Sequence, residues 1–570
     1  MPPSRLFNEA LPPMPVFSGV RGADVLRLLA KASPLWDLGD EGGLASRQLD
    51  HLEADPARFE VFFPVIAGAR FLLWRRDPLD PAAVSRLAAL EARRPFLPQA
   101  AKALLMAVAK RLAVPEDQSL WEAVTGSGDL DLAREFIATV AKDPVHGPYW
   151  LGRTFRVLCA LPDPEKAAAI LADRALDGLA PVRERLRDRL AFLHEPPRAA
   201  LDRLARSPGA IWGHDVRQCA AVLLDRLGEP EAAATLLMEL RRAMPWRVGL
   251  TLTLFERLFP TPLADASQSG KAAVLVYSMN KAAVLRETLE NLARTDLCGC
   301  PVVVLDNGSS DETPALLREA AAWFPENRFQ TVTLPVNVGA PAARNWLLSL
   351  PDVRSCDSAV FLDDDALPPE DWLRRLLGAA KAHPEAGAVG CAIVDAAPPH
   401  FMQTADVELL PPAFGQRDGG LFDERIALFD PSQHREDEGL FAYSRPCLSV
   451  SGCCHLLSMR AVRAAGPFNV GFNPTQFDDL ERDMRSTLAG FPTRFLGTLK
   501  TRHMQFSSMR QPESAAKLSH ILGNRIKLES LFSDGDIARL CDETHAALWR
   551  DLLEKADALD GQDVPETRPI

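Results

Sequence analysis

Residues 359–373 read AVFLDDDALPPEDWL and combine the two features on which the fold and the chemistry depend. The first four residues are apolar, as in a buried strand, and three aspartates follow them directly. Three adjacent carboxylates repel one another unless a positive charge lies near, so the stretch indicates either a cation site or a solvated acidic turn before a helix. Asp363 and Asp365 are two residues apart, and from a bend both could reach one Mg²⁺ or Mn²⁺ ion.

Two similar runs come earlier in the chain. AVLVY at 273–277 and VVVL at 302–305 are short and apolar, and each is followed by a turn and a helical pattern. Strands that alternate with helices in this way are typical of βα units around a mostly parallel sheet. Asp306 ends the second run and therefore lies where open α/β sheets bind ligands, although it could equally serve only the amides of its own turn. Ser309 and Glu312 predict a capping box for the next helix.

The sequence changes character near Ser267. Before it, Ala, Leu and Arg recur at helical spacing, and Glu195-Pro196 recurs 34 residues later as Glu229-Pro230. This period is typical of tetratricopeptide repeats, and GEPEAAATLLMELRRAMP at 228–245 is similar to the second helix of such a unit. An irregular helical array without a peptide groove explains the same pattern. The small and polar residues at 261–270 predict a linker to the βα part.

The composition excludes several classes of protein. The 570 residues include 76 acidic and 64 basic side chains, which gives a net charge of −12. This balance does not supply the basic surface of a general nucleic-acid binder, so no nucleic-acid partner is expected. No apolar run reaches about 18 residues and the first residues lack the layout of a secretory signal. We therefore expect a cytoplasmic protein without a transmembrane segment, at most peripheral at the inner face of the membrane. The ten cysteines are scattered, and no CxxC pair faces a second one, which argues against a structural zinc site.

Five motifs follow the linker in a fixed order: LDNGSSDET (305–313), VNVGAPAARN (336–345), FLDDDALPPEDWL (361–373), FDDLERDMRSTLAGF (477–491) and TRH (501–503). In this order they resemble the family-2 glycosyltransferases, which are inverting enzymes with the GT-A fold. The DDD and FDDLE forms are most similar to the galactofuranosyl- and rhamnosyltransferase-like branches. The resemblance covers about residues 270–505. It implies a Rossmann-like mixed sheet, a nucleotide-sugar donor, and Mn²⁺ or Mg²⁺ at the acidic triplet, which is the DXD motif of such enzymes.

The resemblance also implies roles for individual residues. A nucleotide-sugar, with a UDP- or dTDP-sugar favoured, would be bound by Tyr277, Ser278, Asp306, Asn337, Gly339, Arg344, Asn345, Asp363 and Asp364. The metal ligands would be Asp363, Asp365 and His503. Asp479 would be the base that deprotonates the acceptor hydroxyl, with Asp478 beside it and Glu481 on the acceptor sugar. Acidic residues at 478–483 would also suit a helix N-terminus that has no catalytic role.

These predictions describe a multidomain chain. A helical region of unknown role at 1–120 precedes tetratricopeptide-like helices at 121–262, a GT-A domain at 270–510 and a helical tail at 511–570 with a frayed end. We expect a metal-dependent transferase that moves a sugar to a glycan, lipid-linked or protein acceptor in surface polysaccharide or glycoconjugate synthesis. The long segment 396–446 would lie on the acceptor side. The alternative is a non-catalytic scaffold that binds a protein partner through its helical repeats and carries a decayed transferase domain.

Overall fold

The computed structural model describes residues 20–39, 42–161, 163–172, 174–265, 271–398, 400–411, 424–432, 435–504 and 515–561. Within these ranges the chain forms a helical N-terminal region, a domain built on a mixed sheet, and a helical tail. The predicted fold class is therefore confirmed. The frayed end predicted for the tail and residues 266–270 of the predicted linker lie outside the described residues. No helix in the described parts of the chain has the length and apolarity that a bilayer-spanning segment needs.

The N-terminal region is a succession of helices that pack on their neighbours in the chain. The first five are α1 (Gly22–Ala32), α2 (Gly42–Ala54), α3 (Pro56–Arg76), α4 (Pro81–Arg93) and α5 (Gln99–Arg111). The next nine are α6 (Ser119–Ser127), α7 (Leu130–Val140), α8 (Gly147–Cys159), α9 (Pro164–Leu171), α10 (Ala180–His194), α11 (Pro197–Leu204), α12 (Gly209–Arg226), α13 (Pro230–Ala243) and α14 (Val248–Leu258). Three helices begin with a proline and are capped by the aspartate before it, namely Asp55, Asp80 and Asp163. Proline suits the first position because an N–H there would make no hydrogen bond within the helix. The identity of these helices as tetratricopeptide repeats stays a prediction.

The sheet domain follows with β1 (Ala272–Ser278), β2 (Val302–Asp306), β3 (Phe329–Thr333), β4 (Ser358–Leu362), β5 (Ala366–Leu367), β6 (Ala388–Asp395), β7 (Met402–Thr404), β8 (Glu408–Leu410), β9 (Ala427–Phe429), β10 (Ser444–Cys447), β11 (Cys454–Ser458) and β12 (Thr493–His503). The main sheet has the order β10-β12-β6-β11-β4-β1-β2-β3, with β5 paired to β12 and β7 to β6, while β8 and β9 form a separate pair. The strands β2, β1 and β4 are parallel, which confirms the predicted βα units. The sheet is mixed because β11 runs antiparallel between β4 and β6.

The helices of this domain are α15 (Ala282–Leu292), α16 (Thr313–Ala320), α17 (Ala340–Ser349), α18 (Pro351–Arg354), α19 (Trp372–Ala382), α20 (Met459–Ala465) and α21 (Asp478–Leu488). The capping box predicted at Ser309 is wrong, because α16 begins only at Thr313 and has no side-chain cap. The Ser309 hydroxyl instead accepts a hydrogen bond from the Asn280 amide at 3.0 Å, which joins the turns after β1 and β2. The tail forms the two expected helices, α22 (Ala515–Leu531) and α23 (Asp534–Asp560).

One hydrophobic core connects the helical region to the sheet. Buried side chains of the N-terminal helices share this core with Val394 of β6, Phe495 of β12 and Leu552 of α23. A second core packs α15, α16 and α19 against one face of β1 and β2, and a third packs α17 against the other face. The helical region therefore packs against the part of the sheet that contains β6 and β12.

Candidate active site

The acidic triplet lies between β4 and β5, at the carboxyl end of a central strand. Backbone contacts fix this turn: the Asp363 amide donates to the Cys453 carbonyl at 2.8 Å, and the Asp364 carbonyl accepts from the Thr288 hydroxyl at 2.9 Å. Desolvation raises the pKa of Asp363 to about 6, and the charges of Asp365 and Asp364 add to the rise, while Arg344 and His503 oppose it. The Oδ1 atom of Asp363 is buried and accepts no hydrogen bond from the described residues.

Lys281 supplies the counter-charge that three adjacent carboxylates require. Its Nζ donates to Asp364 at 2.8 Å and to Asp365 at 3.3 Å, and the Ser278 hydroxyl donates to the other oxygen of Asp364 at 2.6 Å. The sequence motifs do not include this lysine. It stands three residues after the end of β1, and β1 pairs with β4, so the need for a nearby cation together with the strand order could have identified it.

His503 reaches the triplet from the far end of the domain, as predicted. It ends β12, where it pairs with Ala366 of β5. Its Nε2 lies 2.9 Å from Asp365 Oδ1, and its Nδ1 lies 2.8 Å from the side-chain oxygen of Gln403. Burial lowers the pKa of His503, but the hydrogen bond and charge of Asp365 outweigh burial, so the pKa is raised above its ordinary value. Gln403 had no predicted role.

The donor atoms around the triplet suit a divalent cation. One ligand atom each from Asp363, Cys453 and His503 lie within 4.8 Å of one another. The predicted set contained Asp365 instead of Cys453, and here the Asp365 carboxylate is bonded to His503 and Lys281. The Oδ1 atom of Asp363, which accepts no hydrogen bond from the described residues, and the combination of carboxylate and imidazole donors fit Mn²⁺ or Mg²⁺.

Arg344, on α17, connects the triplet to the acidic pair at the start of α21. One guanidinium nitrogen donates to Asp478 at 2.7 Å, and the other lies 3.7 Å from Asp363 Oδ1 and 3.4 Å from the Gly452 carbonyl. The guanidinium carbon lies 5.3 Å from the ring centre of Tyr277. Arg344 is buried, and its guanidinium lies next to both carboxylates. The acidic triplet and the acidic pair at the start of α21 therefore lie on either side of one guanidinium.

The two aspartates of the pair have different surroundings. Asp478 is buried, and desolvation raises its pKa, with a further contribution from Asp479, while Arg344 opposes the rise. Asp479 is half-buried, and its two oxygens accept hydrogen bonds from the amides of Gly452 at 2.9 Å and Leu480 at 2.8 Å. Asp479 is thus the more accessible carboxylate of the two, and the backbone holds it in place.

The turns after β2 and before α17 bring the next group of predicted residues together. Asp306 pairs with Ser278 across β2 and β1, so both side chains lie at the same edge of the sheet. One Asp306 oxygen accepts from the Ser309 amide at 2.9 Å, and the other is buried without a hydrogen-bond partner among the described residues. The Asn337 side chain accepts from the Gly339 amide at 2.8 Å, and Gly339 has φ 82°, a left-handed conformation that favours glycine.

Asn345 and Glu481 are fully engaged within the protein. The Asn345 side chain donates to the Phe468 carbonyl and accepts from the Phe468 amide, both at 2.8 Å. Glu481 is buried, and both of its oxygens accept from Arg485, at 2.6 and 2.9 Å. A donor contact by Asn345 or an acceptor contact by Glu481 would require these bonds to open.

Residues 273–457 match the family model described as glycosyl transferase family 2. The matched segment runs from β1 to β11 and contains the acidic triplet, but it ends before Asp478 and His503. This segment of the chain is thus similar to the family-2 glycosyltransferases, as its motifs predicted. No curated protein sequence matches the chain.

Several solved structures are distantly similar. GalNAc-T7, crystallised with UDP, GalNAc and Mn²⁺, is 12% identical with a TM-score of 0.36, over 50% of this chain and 56% of its own. The mannosyltransferase PcManGT from Pyrobaculum calidifontis, in complex with GDP-Man and Mn²⁺, is 16% identical with a TM-score of 0.31, over 61% of this chain and 98% of its own. TarS of S. aureus is 16% identical with a TM-score of 0.29, over 51% of this chain and 53% of its own. The chain therefore spans about half the length of GalNAc-T7 and TarS, and similarity at this level carries no conclusion about donor or acceptor.

Proposed function

We propose that the protein is a metal-dependent inverting glycosyltransferase, which moves a sugar from a nucleotide-sugar to an acceptor hydroxyl. The observation that carries this proposal is the position of Arg344, which bonds Asp478 at 2.7 Å and lies 3.7 Å from Asp363. The proposal is supported because one arginine lies between the carboxylate pair that would contain the base and the carboxylate cluster that would hold a cation and a diphosphate. A transfer reaction needs both groups around one anomeric carbon.

The nucleotide would bind across the carboxyl ends of β1 and β2. The buried Asp306 oxygen without a partner would accept the imide N–H of a uracil or thymine, which favours a UDP- or dTDP-sugar. Tyr277 and Ser278 would border the base, and Asp364 would lie behind them. Asn337 and Gly339 would brace the nucleotide, since a glycine at the start of α17 lets a ligand approach the backbone closely.

A divalent cation, Mn²⁺ or Mg²⁺, would be held by Asp363, Asp365 and His503. When bound, such a cation neutralises charge on the leaving diphosphate. Lys281 favours the ionised forms of Asp364 and Asp365, because its ammonium bonds both carboxylates. It would also present a positive charge to the diphosphate at the edge of the same turn.

Asp479 is the proposed base. Asp478 is buried in its ion pair with Arg344, whereas each oxygen of Asp479 accepts one backbone hydrogen bond and keeps a lone pair for an acceptor hydroxyl. The two backbone bonds fix the carboxylate without neutralising it. The proton of the hydroxyl would pass to Asp479 as the acceptor oxygen attacks the anomeric carbon opposite the leaving diphosphate.

The acceptor is proposed to be a glycan, a lipid-linked sugar or a protein, in surface polysaccharide or glycoconjugate synthesis. The segment 396–446 would face it, and the helical region holds part of that segment. Gln218 of α12 donates to Glu438 at 3.1 Å, and Arg189 of α10 forms an ion pair with Glu436 at 2.5 Å. The helices would thereby shape the acceptor side, and repeats of tetratricopeptide type among them would bind a protein partner.

Thermal unfolding with UDP-, dTDP-, GDP- and CMP-sugars, with and without Mn²⁺, tests the proposal. A donor at about 100 times its dissociation constant should stabilise the protein by roughly 2.7 kcal/mol. Asp365→Ala should abolish the Mn²⁺-dependent part of this effect. Asp479→Asn should keep donor binding and lower the rate of transfer roughly 10²- to 10⁴-fold.

The control is Asp542→Asn, on the exposed side of α23, which should change neither donor binding nor transfer. Folded protein that no donor stabilises would support the scaffold alternative. Transfer that survives in Asp479→Asn would show that the base is another group.

A further inference from the structure

The thiol of Cys453 lies beside the proposed cation site and has no assigned role. We propose that Cys453 is a thiolate ligand of the cation, together with Asp363 and His503, and that the site therefore prefers a divalent cation of borderline softness. This inference rests on the proposed cation site. It assigns a role to a residue for which the resemblance implies none, and it predicts which metal ions the site selects.

The strand order places Cys453 directly opposite the acidic triplet. β11 is the antiparallel neighbour of β4, with Cys454 paired to Leu362, so the residue before β11 faces the residue after β4. The Asp363 amide donates to the Cys453 carbonyl at 2.8 Å, which fixes the two residues against each other. The Cys453 sulfur, an Asp363 oxygen and a His503 ring nitrogen lie within 4.8 Å of one another. Ligands at about 2.0–2.4 Å from one ion are separated by up to roughly 4.8 Å, so one cation can bridge the three.

Two of these groups have an atom that could bind a metal ion and that makes no hydrogen bond to the described residues. Asp363 Oδ1 is buried without a hydrogen-bond partner, and no hydrogen bond to the Cys453 sulfur is found within the described ranges. The neighbouring Cys391 is different, because its sulfur contacts the Cys454 carbonyl at 3.6 Å and lies 3.3 Å from the Thr501 hydroxyl. A carboxylate oxygen that accepts no hydrogen bond, with the Arg344 guanidinium 3.7 Å away, and a buried thiol are a favourable pair of donors for a metal ion.

His503 is oriented to present Nε2 to the ion. The amide nitrogen of Gln403 donates to Asp395 at 2.8 Å, which leaves the Gln403 oxygen toward His503. That oxygen can only accept, so the His503 Nδ1, 2.8 Å away, carries the proton of this hydrogen bond. Nε2 can then bind the cation once the proton in its hydrogen bond with Asp365 is lost. Gln403 is therefore a positioning residue, in the manner of the outer partners that orient metal-bound histidines.

The proposed ligand set determines the metal preference. On binding, the Cys453 S–H bond is exchanged for a sulfur–metal bond, and the proton passes to solvent. Mg²⁺ and Mn²⁺ favour oxygen donors, whereas thiolate with imidazole and carboxylate favours Zn²⁺, Co²⁺ and Cd²⁺. We therefore expect Co²⁺ and Zn²⁺ to bind more tightly than Mn²⁺ to the full-length protein.

Cobalt absorption tests the proposal independently of activity. Titration of the metal-free, full-length protein with Co²⁺ should give visible d–d bands and a near-ultraviolet thiolate-to-cobalt charge-transfer band. Cys453→Ser should lose the charge-transfer band and still bind cobalt, and Cys453→Ala provides a second variant if the serine destabilises the fold. The matched control is Cys454→Ser, an adjacent and equally buried thiol, which should keep the band. Gln403→Leu should weaken cobalt binding roughly 10- to 100-fold and also keep the band.

The outcomes separate this inference from the proposed function. Cobalt bound to the wild type without a charge-transfer band, or with a band that survives in both Cys453 variants, overturns the thiolate ligand and leaves the cation site in place. Cobalt that binds no more strongly to the wild type than to Asp363→Asn overturns the cation site and the thiolate ligand together. A band that is lost only with Cys453 establishes the thiolate.

Discussion

Replacement of Arg344 by methionine should destabilise the protein strongly, because it leaves a buried carboxylate unpaired. Arg344 is 5% exposed and Asp478 is 2% exposed, and their closest atoms are 2.7 Å apart. Two unit charges about 4 Å apart in a medium with an effective dielectric constant near 20 attract each other by roughly 4 kcal/mol. Breaking a buried pair by removing one partner costs about 3–5 kcal/mol, and methionine keeps most of the buried volume. We therefore expect a loss of about 3–5 kcal/mol from Arg344→Met.

Urea unfolding of three variants measures this pair. The double variant Arg344→Met/Asp478→Asn removes both charges and should be more stable than the sum of the single effects by about 2 kcal/mol, within the usual range for contacting residues. Asp478→Asn alone should cost less than Arg344→Met, since Arg344 also lies 3.7 Å from Asp363. A loss below about 1 kcal/mol in Arg344→Met, or strictly additive effects, would refute the reasoning.

The pH dependence of Arg344→Met has a definite sign. Desolvation already holds the pKa of Asp478 above its ordinary value, and loss of Arg344 removes a group that lowers it. Between the pKa of Asp478 in the unfolded chain and its higher pKa in the folded variant, only the folded variant keeps the proton. The free energy of unfolding of the variant therefore falls as the pH rises through this interval. The stability deficit of Arg344→Met relative to the wild type should therefore be larger at pH 8 than at pH 5, as measured by urea midpoints.

Three further predictions concern other parts of the structure. Lys281→Met removes a positive charge that bonds two aspartates of the triplet, so Mn²⁺ affinity without nucleotide should rise about tenfold by calorimetry. Gly339→Ala should lower stability by about 1–3 kcal/mol in urea unfolding, because φ is 82° and the added methyl group meets a neighbouring side chain. Arg189→Met removes the partner of the buried Glu436 between the helical region and the acceptor-side segment, and should cost about 3 kcal/mol in the same assay.

Matched controls separate these effects from general damage. Gly523→Ala lies in open space on α22 and should stabilise the protein by about 0.5–1 kcal/mol. Arg286→Met breaks an exposed pair with Glu319 and should leave the urea midpoint nearly unchanged. Unchanged Mn²⁺ affinity in Lys281→Met would mean that the lysine does not compete with the ion. A Gly339→Ala variant as stable as Gly523→Ala would contradict the backbone argument.

The amino-acid sequence alone was sufficient for the elements that depend on short stretches of chain. The apolar runs at 273–277, 302–305 and 359–362 are β1, β2 and β4, because a few adjacent side chains determine whether a segment is buried as a strand. Ser278 and Asp306 end two parallel strands, and the register of these strands brings them together at one edge of the sheet. The capping box predicted at Ser309 does not form, because the Ser309 hydroxyl bonds the neighbouring turn and not the start of the next helix.

The tertiary structure decided which distant groups meet. Cys453 faces Asp363 because β11 enters the sheet antiparallel beside β4, and Gln403 reaches His503 because β7 pairs with β6 next to β12. The helical region shares a core with β6 and β12, although its sequence reads as a separate array of helices. Local propensity is set by neighbours along the chain, whereas these contacts depend on strand order and on burial shared between distant segments. For this reason the sequence determined the fold class and the candidate carboxylates, and only the folded chain determined their partners.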